Sequence, residues 1–401
     1  MSRLKTKVGN IEFINPFILA SAPPARNAEM IARAFELGWA GAVTKTICLN
    51  YKDMIDVSPR LAGIKGGLLN IELISSVSPE KWVEDIKFLK QNYPSNIVIA
   101  SISAEASNIE GWQKLAVMTQ TAGADMLELN FSCPHGLPEM GMGNTCSDNP
   151  EIAAKITKFV KAVSKIPVWT KLSPNVNSIK RLAELCLNSG ADGITAINTV
   201  KGFAGVDVKT GLPKLNINGY SAYGGLSGDI IKPIALKAVS EIASTLKCNV
   251  SATGGIKNHE DAVEFILLGA STVQLCAEVM FKGYEIIKEL KHGLNNYLEE
   301  YNFNSVNEIR GKSLQYIKPH FDLDKSNCLK HEINPEICIN CGKCYKACRD
   351  AGYQAISYNG DNLLIDKQKC SGCGLCSIIC PANAIVINNN ENICSQFLLK
   401  R

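Results

Sequence analysis

The sequence lacks the features of a membrane or secreted protein. Its first residues, MSRLKTKVGNIEF, contain no apolar run of the kind found in signal peptides. No stretch reaches the ~18 uncharged apolar residues that a membrane span requires. A strong excess of charge of one sign is also missing. The 42 basic and 38 acidic residues leave a net charge of +4, and the sequence contains no long run of charges of one sign. The sequence therefore predicts a cytoplasmic protein that binds neither membrane nor nucleic acid.

Two other patterns are absent. No G-x-G-x-x-G lies between a strand and a helix, so the chain is predicted to contain no nicotinamide-binding domain. A secreted disulfide scaffold is also not indicated, although the chain has 16 cysteines. Half of them fall within residues 338–380, and the others are scattered through a large hydrophobic region. In a reducing compartment, clustered cysteines are more often metal ligands than disulfides.

What is present is a regular alternation of short β-rich runs and helical stretches over residues 16–277, which predicts a parallel sheet covered by helices. The runs are PFILASA (16–22), GAVTKT (41–46), NIVIASIS (96–103), DMLELNFS (125–132), IPVWTKLS (166–173), DGITAINT (192–199), NVSATGG (249–255) and STVQLCA (271–277). Eight such runs are typical of a (β/α)8 TIM barrel of ~250 residues. Amphipathic segments at 28–38, 150–165 and 230–247 are predicted to lie in its outer ring of helices.

Polar and reactive residues lie at the carboxyl ends of these runs, where barrel enzymes build their active sites. They are Ser21, Lys45, Ser103, Asn130, Ser132, Cys133, Lys171, Asn198, Thr199, Thr253, Gly254 and Gly255. Two long insertions, 51–78 and 134–150, interrupt the pattern, and loops of that length are usually functional. The second contains Gly136, Gly141 and Gly143, and we interpret it as a mobile lid.

The tail carries the strongest motif, a C-x2-C-x2-C-x3-C run that occurs twice. This is the spacing of bacterial two-cluster ferredoxins, in which the fourth cysteine of each run ligates the other cluster. It predicts two 4Fe-4S clusters, one held by Cys338, Cys341, Cys344 and Cys380 and the other by Cys370, Cys373, Cys376 and Cys348. Paired zinc sites are the alternative, although zinc prefers two C-x2-C knuckles per metal. Arg349 departs from the consensus, in which proline follows the fourth cysteine.

Small residues near the last two runs indicate a phosphate-bearing cofactor. The run GGI at 254–256 and small residues over 269–277 lie where barrel proteins bind phosphate through backbone N–H groups, and YGGLSG at 223–228 adds to them. The alternative is that these glycines serve ordinary turns. A phosphate-bearing cofactor in a barrel joined to one-electron clusters indicates a flavin. We therefore predict an α/β chain with a barrel over 1–300, a connector over 301–333 and a ferredoxin-like α+β domain over 334–401.

Several runs carry a family resemblance. LELNFSCPHG (127–136), TKLSPN (170–175), INTV (197–200), YGGLSG and ATGG resemble the barrel of class 1 dihydroorotate dehydrogenases. The chain more closely resembles the pyrimidine-reducing half of dihydropyrimidine dehydrogenases, because NIELIS (70–75), GMGN (141–144) and the tail CINCGKCYKACRDAGYQAI (338–356) also match. This closer resemblance covers nearly the whole chain and extends to the bacterial catalytic subunits of that family.

The resemblance implies an FMN enzyme that reversibly reduces uracil or thymine to the 5,6-dihydropyrimidine. It implies that Cys133 protonates ring carbon 5 while the flavin delivers hydride to carbon 6, a role that suits a thiol of ordinary pKa ~8.5. Packing is the alternative role for a lone cysteine at a strand end. The implied pyrimidine-binding residues are Asn70, Glu72, Asn130, Ser132, Asn198 and Thr199. The implied FMN-binding residues are Ser21, Lys45, Thr46, Lys171, Gly228, Thr253, Gly254, Gly255, Cys276 and Ala277.

The resemblance also implies a partner. With no nicotinamide domain of its own, the chain would receive electrons through its clusters from an NAD(P)H-oxidising subunit that carries FAD and iron–sulfur centres. The implied assembly is a homodimer within a heterotetramer.

Two alternatives stay open. One is an iron–sulfur-linked dihydroorotate dehydrogenase, and the other is an electron-transfer protein whose barrel is only a docking platform. His135 stands where dihydroorotate enzymes commonly carry asparagine, and the segment 70–74 replaces their G-L-P-N. Both departures favour a neutral pyrimidine over the carboxylate-bearing orotate, and the set of Cys133, Lys45 and Lys171 argues against a passive platform.

Overall fold

The chain divides into two compact units, Met1–Tyr316 and Ile317–Arg401. The computed structural model describes residues 3–325, 331–351 and 353–387. The predicted connector, 301–333, is shared between the units. Its helix Val306–Ile309 contributes to the apolar core of the first unit, and its last residues form the strand His331–Ile333 in the second. In the described part of the chain, no helix combines the length and apolar character needed to cross a membrane.

The first unit is a closed barrel of eight parallel strands, which confirms the predicted fold class. The strands are Phe17–Leu19, Gly41–Val43, Ile97–Ile102, Met126–Asn130, Val168–Leu172, Gly193–Ala196, Val250–Thr253 and Ala270–Leu275. Each of the eight predicted runs contributes one strand, and the last strand pairs with the first to close the barrel. The strands are buried on both faces because helices cover the outside.

Helices follow the strands and form the outer ring. They are Ala28–Leu37, Pro79–Asn92, Ile109–Thr121, Pro150–Val163, Ile179–Asn188, Lys232–Leu246, His259–Leu267, Ala277–Lys282 and Ile286–Glu300. The first begins where the Asn27 side chain accepts a hydrogen bond from Met30 N, and it ends at Gly38, whose φ of 102° is left-handed. The three predicted amphipathic segments are confirmed as helices.

The barrel interior changes from apolar to polar along the strand direction. Ile18, Ile97, Met126 and Trp169 pack together near the amino ends of their strands, with the hairpin formed by Thr6–Val8 and Ile11–Phe13 beneath them. Position 193 requires glycine, because a Cβ there would lie 2.5 Å from the Trp169 indole. Polar side chains, such as those of Asn130 and Lys171, lie at the carboxyl ends of the same strands.

A four-stranded antiparallel sheet beside the barrel was not predicted. Its order is Val200–Gly202, Gly224–Ser227, Gly67–Asn70 and Leu61–Ile64. The first insertion supplies the last two strands as a hairpin with a two-residue turn, in which Gly66 has a φ of 85°. This sheet carries Asn70 to the barrel rim.

The second insertion is packed in this structure. It forms a 3-10 turn, Leu137–Met140, and a short helix, Asn144–Asp148. Leu137 and Met142 are buried against Cys133. Only glycine fits at position 143, because its φ is 56° and a Cβ would lie 2.7 Å from the Cys133 carbonyl oxygen.

The second unit is a small α+β fold with internal pseudosymmetry. Two antiparallel pairs, His331–Ile333 with Ile385–Ile387 and Ile356–Tyr358 with Leu363–Ile365, accompany the helices Lys343–Asp350 and Leu375–Ile378. Cys344, Ile356 and Ile385 form its buried centre.

Candidate functional site

A cavity of about 1120 Å³, including its open mouth, lies at the carboxyl ends of the barrel strands. It is lined by nearly all the residues predicted to bind cofactor or substrate. They are Ser21, Lys45, Thr46, Asn70, Glu72, Asn130, Cys133, Lys171, Asn198, Thr199, Gly228, Thr253, Gly254, Gly255, Cys276 and Ala277. Ser132 is the exception. The parallel barrel brings these residues together from positions up to 256 apart in the chain because all its strands end at one rim.

Glycines in the cavity wall allow neighbouring backbone segments to pack closely against each other. A Cβ at Gly255, whose φ is 81°, would lie 2.5 Å from Lys232 Cβ and 2.9 Å from Lys232 N. A Cβ at Gly228, with a φ of 91°, would lie 2.7 Å from Gly67 Cα. Side chains here would displace the wall, so these two positions require glycine. Gly269, in contrast, lies before the amino end of its strand and away from the cavity.

Lys45 and Lys171, which line the cavity, are paired with buried carboxylates. The Lys45 ammonium donates a hydrogen bond to Glu72 Oε1, and Arg60 Nε lies 3.5 Å from the other oxygen of Glu72. Lys171 Nζ lies 3.8 Å from Glu128 Oε1. Because the side chains of both pairs are at most 8 % exposed, the lysine charges are largely balanced within the protein.

The amide side chains of Asn130 and Asn198 at the rim are connected by hydrogen bonds through the Ser132 hydroxyl. Asn130 donates to Thr46 Oγ1 at 3.0 Å and accepts from the Ser132 hydroxyl at 2.9 Å, and Asn198 donates to the same hydroxyl at 3.1 Å. Ser132 is fully buried, so it positions these two amides and does not line the cavity. The Thr199 hydroxyl is buried without a hydrogen-bond partner among the described residues, which leaves it available to a ligand.

Cys133 follows the strand Met126–Asn130 by three residues and is held inside the packed loop. Its thiol donates to the His135 carbonyl oxygen at 3.6 Å. Burial raises the pKa of this thiol to about 11, although the His135 hydrogen bond and the nearby Lys171 and Lys45 ammonium groups lower it in part. The ordinary value assumed from the sequence is therefore corrected, and the group remains a protonated thiol through neutral pH.

His135 links the loop to the first insertion, which carries Glu72. Its Nε2 donates to the Glu72 carbonyl oxygen at 2.9 Å, while Nδ1 is buried without a hydrogen-bond partner among the described residues. Burial lowers the pKa of the imidazole, so it is neutral at pH 7. The ring therefore joins the segment carrying Cys133 to the segment carrying Glu72.

Sequence reasoning missed Gln274, which lines the cavity, and Glu128, which is buried inside the barrel and does not line it. Gln274 donates to Glu128 Oε2 at 3.2 Å, and the Thr195 hydroxyl donates to the same oxygen at 2.8 Å. The period-two alternation of a strand could have identified Glu128, because it shares a strand face with Asn130. Glu128 lies within its strand and not at the carboxyl end, where the site residues were predicted.

The eight tail cysteines line two separate cavities in the second unit. Cys338, Cys341, Cys344 and Cys380 line one of about 310 Å³, and Cys348, Cys370, Cys373 and Cys376 line one of about 390 Å³. Each cavity thus combines three cysteines of one run with the fourth cysteine of the other. Ala355 N donates to Cys348 Sγ at 3.3 Å, and Ala384 N donates to Cys380 Sγ at 3.2 Å.

This arrangement suits clusters better than single ions. Within the described ranges, no three Cys, His, Asp or Glu side chains converge as ligands of one metal ion. A 4Fe-4S cluster is held by four thiolates around its periphery, so its ligands stand farther apart. The donor set, all thiol and divided between two cavities, fits iron–sulfur chemistry.

The barrel, its rim cavity and the cysteine-rich unit define an iron–sulfur flavoenzyme, a class of oxidoreductase. A family model described as dihydroorotate dehydrogenase matches residues 3–298, and one described as a 4Fe-4S dicluster domain matches residues 331–387. The chain belongs to the dihydroorotate dehydrogenase family. The family resemblance and the enzyme class predicted from the sequence are both confirmed.

Curated relatives cover most of the chain. The NAD-dependent dihydropyrimidine dehydrogenase subunit PreA of Escherichia coli (strain K12) is 37% identical over 394 residues, covering 94% of this chain and 93% of its own. The chloroplastic dihydropyrimidine dehydrogenase (NADP(+)) of Arabidopsis thaliana is 38% identical over 339 residues, 80% of this chain and 79% of its own. The catalytic subunit of dihydroorotate dehydrogenase B (NAD(+)) from Pyrococcus abyssi is 36% identical over 314 residues, 78% of this chain and 99% of its own.

Proposed function

We propose that this protein reduces uracil or thymine to the 5,6-dihydropyrimidine, reversibly, as the catalytic subunit of a dihydropyrimidine dehydrogenase. The observation that carries the proposal is the rim cavity, in which a protonated thiol faces a glycine-rich wall and amide side chains. The relatives that span nearly all of this chain are named for the same reaction.

The cofactor of the barrel is FMN. FMN accepts electrons one at a time and delivers a hydride, so it can connect iron–sulfur clusters to a two-electron reduction. Gly228, Gly254 and Gly255 would hold the phosphate, since their backbone approaches the cavity without side chains. Lys45 and Lys171 would lie along the ring, where a cation stabilises added negative charge.

Cys133 supplies the proton to ring carbon 5. A general acid must carry its proton before the step, and the raised pKa of this buried thiol keeps it protonated at pH 7. Because Cys133 is 7 % exposed, the proton reaches substrate rather than bulk water. In the reverse direction the thiolate would accept the proton, aided by the Lys45 and Lys171 charges nearby.

The charge balance of the cavity favours a neutral pyrimidine over orotate. Three lysines lie in the described lining of the cavity, and each has an acidic partner: Lys45 with Glu72, Lys171 with Glu128, and Lys257 with Asp229 at 2.9 Å. A carboxylate substrate would find no unpaired cation among them and would face Glu72. The amides of Asn70, Asn130 and Asn198 and the Thr199 hydroxyl suit the alternating donors and acceptors of a uracil edge.

The tail carries two 4Fe-4S clusters, each held by three cysteines of one run and the fourth cysteine of the other. Electrons reach them from an NAD(P)H-oxidising partner that carries FAD and iron–sulfur centres. The support is the pair of four-cysteine cavities and the word subunit in the name of the Escherichia coli relative. We propose a homodimer of this chain within a heterotetramer, located in the cytoplasm.

Anaerobic purification followed by a visible spectrum and two turnover assays tests the proposal. We expect FMN and about eight irons per chain, since each 4Fe-4S cluster contributes four. Photoreduced protein should be reoxidised by uracil or thymine. Reoxidation by orotate in preference to uracil would identify the dihydroorotate reaction instead, and absence of bound flavin would favour an electron-transfer protein.

Gly255→Ala is expected to remove most of the bound FMN. The added methyl group would meet the Lys232 backbone and Cβ at 2.5 to 2.9 Å and displace the cavity wall. Gly211→Ala is the matched control, because Gly211 also has a left-handed φ, 73°, but a Cβ there meets nothing within 4 Å. FMN released by heat and measured by fluorescence should match wild type in the control. Equal FMN content in both variants would place the phosphate elsewhere.

Hydrogen exchange in residues 134–147 is expected to slow when uracil is added. The loop is closed in this structure through His135 and the packing of Leu137 and Met142, and we propose that substrate stabilises this closed state. Exchange in the cluster-bearing tail should be the same with and without uracil, because the clusters crosslink that fold. Unchanged exchange in the loop at saturating uracil would contradict the lid.

A further inference from the structure

Glu128 is a buried carboxylate that the proposed reaction leaves without a role. It lies within the strand Met126–Asn130, is 1 % exposed, and does not line the rim cavity. Thr195 and Gln274 both donate to Oε2, at 2.8 and 3.2 Å. Oε1 has no hydrogen-bond partner among the described residues and lies 3.8 Å from Lys171 Nζ. The position of this carboxylate is therefore fixed by side chains of two other barrel strands, and its second oxygen lies toward the lysine.

The two lysine–carboxylate pairs differ in one respect. Glu72 lines the cavity beside Lys45, so a ligand contacts both members of that pair. Of the second pair, only Lys171 lines the cavity, because Glu128 lies deeper in the barrel. Any effect of Glu128 on a bound ring must therefore pass through space, through Lys171 or through Gln274, which donates to Glu128 and also lines the cavity. This makes Glu128 a positioning residue and not a catalytic one.

We propose that the negative charge of Glu128 partly offsets the positive charge of Lys171 beside the flavin. Glu128 thereby lowers the reduction potential of the bound flavin. The inference rests on the FMN site of the proposed function. Reduction adds negative charge to the ring, and a nearby cation stabilises the reduced form. A carboxylate within 4 Å of that cation, shielded from water, offsets the stabilisation. With Glu128 in place, the reduced flavin is a stronger donor to the substrate.

Glu128→Gln tests this inference in the full-length holoenzyme. The flavin midpoint potential, measured by anaerobic spectroelectrochemical titration, is expected to shift to a more positive value, because the offsetting charge is gone. Glu128→Asp keeps the charge but withdraws it from Lys171, so a smaller shift in the same direction is expected. If the glutamine variant does not fold, the aspartate variant alone decides the sign.

Thr272→Val is the matched control. It removes a buried hydrogen bond inside the same barrel, from Thr272 Oγ1 to Ser251 Oγ at 2.8 Å, without changing any charge. Its flavin potential should equal that of wild type, and the cluster potentials should be unchanged in all variants. A shift in Glu128→Gln that is negative, or no larger than that of Thr272→Val, would overturn the inference while leaving bound FMN and uracil turnover in place. Wild-type protein without flavin would overturn the proposed function and this inference together.

Discussion

Cys133→Ala is expected to lower the rate of uracil reduction by ~10² to 10⁴-fold, the usual cost of losing a general acid, while FMN and pyrimidine still bind. The thiol is held next to the cavity by the packed loop and carries a proton at neutral pH, so its removal leaves carbon 5 without a donor. Single-turnover reoxidation of the reduced flavin by uracil, followed by absorbance, measures the step directly.

Cys146→Ala is the matched control for that variant. Cys146 belongs to the same insertion and is also buried, but it packs in the main apolar core and does not line the cavity. It should lose some stability to the missing sulfur and retain turnover near the wild-type rate. Near wild-type turnover in Cys133→Ala would remove this thiol from the mechanism.

Truncation after residue 325 is expected to abolish turnover driven by the NAD(P)H-oxidising partner while leaving a folded, FMN-loaded barrel. Among the residues that the structure describes, the apolar clusters of the first unit draw on residues 4–309 and the core of the second unit lies within 333–385, so each unit has its own core. The truncated protein should still reduce uracil with an artificial reductant.

Cys373→Ser in the full-length chain provides the companion test. It alters a ligand of one proposed cluster without removing the domain, and partner-driven turnover should fall while turnover with the artificial reductant persists. Partner-driven turnover at the full rate in the truncated protein would show that the clusters are not the electron route.

The parts of the fold that were predicted correctly depend on local patterns. Each barrel strand is a short apolar run bounded by turn residues, and eight of them in alternation with helices permit few other architectures. The cysteine spacing is similarly local. The sheet that carries Asn70 was missed. Its strand 61–64 pairs locally with 67–70, but 67–70 joins the rest of the sheet through Gly224–Ser227, more than 150 residues away. Pairing at that distance leaves little trace in a short window.

The sequence by itself determined the barrel, the two cysteine runs and the identity of most polar residues that line the cavity, since period, spacing and motif are properties of neighbouring residues. The tertiary structure decided which charged side chains are paired and how far the pKa of Cys133 is shifted. It paired Lys171 with Glu128 and Lys45 with Glu72, and it buried Cys133 so that its pKa rose to about 11. Charge balance and desolvation depend on which groups meet after folding, and those distances are not encoded in any single segment.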